Sequence, residues 1–228
     1  MILKICGITN QEDASAAVEA GANAVGFNFY PRSPRYISPR KAQFIFTRAG
    51  VGRAPAGVLT RGPWHIAPKE GAAILSPAGV LRVGVFVNEK REQVEEIAAL
   101  AHLDVAQLHG DEAPAHYPQT LPVWKALRVG RGFDISLFED CPAEVLVLDG
   151  NAGAEYGGQG QVFDWSLIRQ TRRKIVLAGG LQASNVALAI AQVKPWGVDA
   201  CSLLESAPGK KDHKKMKEFL HAAILATL

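Results

Sequence analysis

Ile2-Leu3-Lys4-Ile5-Cys6, then Gln11 to Ala20, then Ala24-Val25-Gly26-Phe27-Asn28-Phe29 is the stretch that decides the fold. The two outer runs are short and almost wholly apolar, as strands of a parallel sheet buried on both faces must be. Between them, Asn10 is placed to cap a helix, and Glu12 and Asp13 favour its positive end. Gly21 suits the position just past its C-terminus. The reading is strand, helix, strand. Working outward, the same alternation recurs. Pro39–Arg48 is predicted as a helix, with Ser38 as cap and proline at the first position. Further strands are predicted at Leu81–Val87, Val105–Leu108, Val123–Leu127, Val145–Asp149, Ile175–Ala178 and Gly197–Ala200. Between them, helices are expected at Glu89–Ala101, Ala113–Thr120 and Phe133–Phe138, then from near Asp164, at Ser184–Gln192 and at Asp212–Ala226. The first of these carries Val94, Ile97, Ala98 and Ala101 on one face. Eight such units in 228 residues imply an α/β chain folded as a single (β/α)8 barrel, the TIM-barrel fold. No GxGxxG follows the first strand, which argues against an open dinucleotide-binding sheet. Residues 49–80 break the rhythm with several Gly and Pro. They read as an irregular insertion between the second helix and the third strand of one domain spanning 1–228.

Composition narrows the function. The chain is 48% hydrophobic and 21% charged with a formal net charge of +3. That bias suits an anionic small molecule and is too weak for a nucleic-acid surface. Cys6, Cys141 and Cys201 form neither a CxxC pair nor a zinc set, so no metal and no disulfide framework is expected, in keeping with a cytoplasmic protein. The opening Met-Ile-Leu-Lys-Ile-Cys has no signal-peptide pattern, and no apolar run is long enough for a membrane span.

In such barrels the chemistry sits at the carboxyl ends of the strands. Cys6 ends the first strand, and is either a small buried hydrophobe or a base whose pKa its neighbours bring down. Asp149 follows four apolar residues. It is either a salt-bridge or capping partner or a general acid with a raised pKa. Arg32 and Arg35 lie in a proline-stiffened loop, as solvated charges or as a fork for a carboxylate or phosphate. Gly179-Gly180 is either a tight turn or a backbone cradle for phosphate, with Cys201-Ser202 and Pro208–Asp212 available to complete it. The lysines of 210–217 read as a solvated helix face. His109 either orients substrate or is a satisfied rim histidine.

These residues stand in motifs: Lys4-Ile5-Cys6-Gly7-Ile8-Thr9, Gly26-Phe27-Asn28-Phe29-Tyr30-Pro31 through Arg35-Tyr36-Ile37, and Val83–Asn88. They continue with Gln107-Leu108-His109-Gly110, Leu148-Asp149, Gly157–Gly160, Phe163-Asp164-Trp165, Ala178-Gly179-Gly180-Leu181 and Pro208-Gly209-Lys210-Lys211-Asp212. In this order they resemble the phosphoribosylanthranilate isomerase family of tryptophan biosynthesis. The resemblance implies an intramolecular isomerase acting on N-(5'-phosphoribosyl)anthranilate by an Amadori rearrangement. Asp149 would be its acid and Cys6 its base. Arg35 would hold the anthranilate carboxylate, and His109, Gly179, Gly180, Asp199 and Ser202 would line the substrate. It implies no metal, no organic cofactor and a monomer or homodimer. The chain departs from the family at Asp199-Ala200-Cys201-Ser202-Leu203-Leu204-Glu205, where the family usually reads Asp-x-Ser-Ser-Gly-Val-Glu. Leu203 in place of glycine predicts weaker phosphate binding, with a non-catalytic phosphorylated-ligand-binding barrel as the alternative function. Cys201 raises the expectation of a Cys6–Cys201 disulfide under oxidation, if the two Cα atoms lie within about 7 Å.

Overall fold

The computed structural model describes residues 1–48, 79–150, 163–168 and 171–228. The 49–80 insertion falls almost wholly outside these residues. Eight parallel strands close into a barrel in chain order. They are β1 (Ile2–Ile5), β2 (Ala24–Asn28), β3 (Leu81–Phe86), β4 (Val105–Leu108), β5 (Val123–Arg128), β6 (Val145–Asp149), β7 (Lys174–Leu177) and β8 (Gly197–Ala200). Closure comes from β1 pairing with β8, where Lys4 lies opposite Asp199 and Ile5 opposite Ala200. The barrel is the expected fold, and each strand lies within about a residue of its expected place.

Why the strands read as apolar throughout is visible in the packing. Side chains alternate between two buried environments. Ile2, Val145, Val147 and Val176 fill the barrel interior together with Trp124. Leu3, Ile5, Leu146, Leu148 and Leu177 face outward into the layer under the helices. The same alternation carries the inward series Ile2, Lys4, Cys6 and Val145, Val147, Asp149 up to the carboxyl rim. The sites of interest are therefore the last inward positions of two strands.

The longer helices are α1 (Gln11–Glu19), α2 (Pro39–Arg48), α3 (Arg91–Leu100), α4 (Val186–Val193) and α5 (His213–Leu225). Asn10 caps α1 by accepting from the Asp13 amide at 2.8 Å, and Gly21 follows it at φ +103°. Asp212 caps α5 through the Lys214 and Lys215 amides. Three expected helices are shorter than the sequence predicts. Ala113–Thr120 and Phe133–Phe138 contain only the 3-10 turns Pro114–His116 and Ile135–Phe138. Near Asp164 there is one 3-10 turn, Trp165–Leu167, which Asp164 caps. In the first case Pro118 and Pro122 lack the amide protons that would extend the helix.

After β8, a 3-10 turn (Ser202–Leu204) leads into a small antiparallel ribbon of β9 (Glu205–Ala207) and β10 (Lys210–Lys211). This ribbon brings Lys211 back over the barrel mouth. Lys211 is only 3% exposed, so it does not belong to the solvated face the lysine run suggested.

Candidate active site

A cavity of about 580 Å³ opens at the carboxyl rim. Cys6, Arg35, His109, Asp149, Gly179, Gly180, Asp199 and Ser202 line it, whereas the Pro208–Asp212 turn, also offered for a phosphate cradle, does not. Tyr30, Arg32, Gln107, Cys201 and Leu203 complete much of the wall. Its size is that of a small-molecule site.

The floor is charged, which the apolar strand pattern conceals. Lys4 is fully buried on β1 and donates to Asp199 Oδ2 at 2.6 Å across the β1–β8 seam. Burial opposes the charge on Lys4, but Asp199 and Cys6 outweigh it and hold its pKa above the ordinary lysine value. Burial pushes Asp199 the other way, up to about 7, against the pull of Lys4. The pair is therefore ionised above neutral pH, and Asp199 takes up a proton below it. Asp199 Oδ1 is buried with no partner among the described residues, as is Gln107 Oε1. Both belong to residues that line the cavity, so a ligand hydroxyl or amine is the natural partner.

Cys6 sits one inward step above Lys4. A hydrogen bond from Cys201 is the largest influence on its thiol, burial opposes it, and Lys4 and Lys211 add to it. The net effect holds Cys6 well below the ordinary thiol range, while Cys201 is driven up. Both cysteines are free. A thiol lowered in this way forms the thiolate more readily, and the thiolate is the form that accepts protons.

Asp149 ends β6 and faces His109, whose Nε2 lies 3.4 Å from Asp149 Oδ2. Gln107 Nε2 approaches His109 Nδ1 at 3.4 Å. Donation by the Gln107 amide places the ring proton on Nε2, aimed at the carboxylate. Beside it, Gly179 (φ +83°) and Gly180 (φ +65°) turn the chain after β7. An added Cβ on Gly179 would stand 2.5 Å from the Gly150 amide nitrogen and 2.8 Å from Asp149 Oδ1. Only glycine lets this turn pass so close to the carboxylate.

Arg35 departs from its expected role as a free bidentate fork. Its Nε and Nη2 edge is already engaged by Glu205, at 2.9 and 2.8 Å. Lys211 Nζ also donates to Glu205 Oε1 at 2.9 Å, with Lys211 and Glu205 side chains 0% and 4% exposed. Glu205 thus anchors the guanidinium and leaves Nη1 as the remaining nitrogen.

Lys4, Gln107 and Glu205 were not singled out from the sequence, and Lys211 entered only within the Pro208–Asp212 turn and the lysine run. Lys4 alone carried a signal, being the charged residue inside an apolar strand.

A sequence profile of "PRAI: N-(5'phosphoribosyl)anthranilate (PRA) isomerase" matches residues 61–222. The chain belongs to this family. Membership carries an isomerase role in tryptophan biosynthesis. An N-(5'-phosphoribosyl)anthranilate isomerase of Solibacter usitatus is 52% identical over 223 residues, covering 98% of this chain and 97% of that one. The crystal structure of phosphoribosyl anthranilate isomerase from Thermotoga maritima matches at TM-score 0.80 and 40% identity, over 98% of this chain and 99% of that one. A structure of the isomerase in complex with reduced 1-(o-carboxyphenylamino)-1-deoxyribulose 5-phosphate matches at TM-score 0.76 and 38% identity, with the same coverage of both chains. Among the described residues, no helix is long and apolar enough to cross a membrane.

Proposed function

We propose that this cavity carries out the Amadori rearrangement of N-(5'-phosphoribosyl)anthranilate, with Asp149 as general acid and Cys6 as general base. The observation that carries the reading is the placement of Cys6 directly after β1 and of Asp149 at the end of β6, both lining one cavity. Asp149 gives a proton to the furanose ring oxygen, and the ring opens to a Schiff base. Cys6 removes the proton at C2 to form the enolamine, which tautomerises to the ketone of 1-(2-carboxyphenylamino)-1-deoxyribulose 5-phosphate. His109, held by Gln107, orients the Asp149 carboxyl. The Gly179-Gly180 turn and Ser202 offer backbone and hydroxyl donors to the phosphate. Arg35, anchored by Glu205, meets the anthranilate carboxylate through Nη1. Asp199 Oδ1 and Gln107 Oε1 are acceptors for the ribose hydroxyls or the substrate amine. The cysteines, all free, accord with a reducing cytoplasm.

The test is rescue of a tryptophan auxotroph lacking this isomerase. Wild type should restore growth, and Cys6→Ala and Asp149→Ala should not. Failure of wild type, expressed and folded, would favour a barrel that binds a phosphorylated ligand without turnover.

A further inference from the structure

Cys201 occupies a place that the reaction as written leaves unused. Lys4 and Asp199 are register partners on β1 and β8, and their side chains meet inside the barrel. Strand side chains return to the same face every second residue. One residue past the ends of β1 and β8, Cys6 and Cys201 stand next above Lys4 and Asp199, and both line the cavity. The Cys6 amide donates to the Ala200 carbonyl at 3.0 Å, which keeps the two backbones at strand spacing there. Neighbouring glycines close the space around both sulfurs. A Cβ on Gly26 would lie 2.7 Å from Cys6 Sγ, and one on Gly7 would lie 2.9 Å from Cys201 Sγ.

Two acceptors lie within reach of the Cys201 proton, the Glu205 carboxylate and the Cys6 sulfur. Lys211 Nζ lies 3.8 Å from Cys201 Sγ. An ammonium can only donate, so it meets the sulfur lone pairs and leaves the S–H free to point elsewhere. Glu205 Oε1 is 3.9 Å away, a long contact to a carboxylate already bonded by Arg35 and Lys211 at 2.8 to 2.9 Å. The Cys6 sulfur is the second acceptor, reached across the β1–β8 seam.

The charges facing Cys6 make this bond matter. Lys4 lies below it with Asp199 as partner, and Lys211 and Arg35 lie beside it with Glu205 between them. Asp149 lines the same cavity from β6. Lys4 donates toward the Cys6 sulfur as well as to Asp199, and Cys201 adds a neutral donor from the neighbouring strand end.

We propose that Cys201 is a positioning residue whose thiol, polarised by Lys211, donates a hydrogen bond to the Cys6 sulfur and keeps it ready to accept the substrate proton. This rests on Cys6 being the base. The experiment follows Cys6 alkylation by iodoacetamide against pH, located by mass spectrometry, in wild type, Cys201→Ala and Cys201→Ser. Cys6 in wild type reacts as a thiolate below the ordinary thiol range. Cys201→Ala moves the midpoint up by about one unit or more, as losing a hydrogen bond to a charged group would. Cys201→Ser keeps a hydroxyl donor and returns the midpoint toward wild type. The acid limb of kcat/KM follows the same order. Cys201→Val fills the same space without a donor and replaces the alanine variant if that does not fold. A Cys6 midpoint unchanged in the alanine or valine variant overturns the proposal, and so does a serine variant that titrates like alanine. Alkylation needs no turnover. Undiminished turnover by Cys6→Ala would therefore sink the base assignment separately, leaving the thiol pair intact.

Discussion

Gly179 and Gly132 share a backbone φ of +83°, but their surroundings differ, and replacing each with alanine separates two costs. Around Gly132 an added Cβ meets nothing within 4 Å. Its replacement carries only the left-handed backbone cost of an L-residue, about 1–2 kcal/mol. At Gly179 the same methyl would lie 2.5 Å from the Gly150 nitrogen, 2.8 Å from Asp149 Oδ1 and 3.1 Å from Gly150 Cα. Two of these three contacts are backbone, so the turn after β6 must move. Overpacking of this kind adds about 1–3 kcal/mol. For a chain of this size each kcal/mol lowers the melting temperature by about 2–4 °C. Gly132→Ala should therefore melt a few degrees low with full turnover. Gly179→Ala should melt roughly 5–15 °C low. It should also lose about 100-fold in kcat, because a displacement near 1 Å at a catalytic carboxyl costs that much. Thermal melts beside steady-state turnover of both variants supply the comparison. Equal melting temperatures, or a Gly179→Ala enzyme with wild-type kcat, would refute the claim that this glycine exists to let the turn pass Asp149.

Lys4→Met strands a buried Asp199 and should cost about 3–5 kcal/mol in urea unfolding, with Asp199→Asn added to it restoring part of the loss. Asp199 ionises near pH 7 in the intact pair, so that penalty should grow as the pH rises through 7 and shrink on acidification; the opposite trend would contradict the pairing. Leu203 lines the cavity, and if the substrate phosphate meets the backbone there, Leu203→Gly should lower KM with little change in kcat. Peroxide should oxidise the Cys6 thiolate to a sulfenic acid, which the Cys201 thiol then displaces as water, giving a disulfide and reversible loss of activity. Mass spectrometry of the oxidised protein should find the Cys6–Cys201 crosslink, and Cys201→Ser should not form it.

What the sequence made legible was whatever depends on two-sided burial. Each strand declared itself because both of its faces are covered, and Asn10, Ser38-Pro39 and Asp212 marked helix starts by local chemistry that tertiary structure did not override. The turns after β4 and β5 are shorter than the expected helices; after β4, Pro118 lacks the amide a longer helix needs, which apolar periodicity does not show. The rim positions of Cys6 and Asp149 followed from strand ends. The Lys4–Asp199 and Arg35–Glu205–Lys211 contacts did not, since they join residues 195, 170 and 6 apart in the chain. Lys211 was misread for a related reason. A lysine run looks solvated until a two-strand ribbon folds one member back over the barrel mouth.

The proposed mechanism pairs a base at Cys6 with an acid at Asp149 in one cavity. The direct measurement is steady-state conversion of N-(5'-phosphoribosyl)anthranilate by wild type, Cys6→Ala and Asp149→Ala, with melting curves alongside. Each variant should lose about 100- to 10,000-fold in kcat while keeping its fold and most of its substrate affinity. A folded Cys6→Ala or Asp149→Ala enzyme that turns over at the wild-type rate would contradict the account.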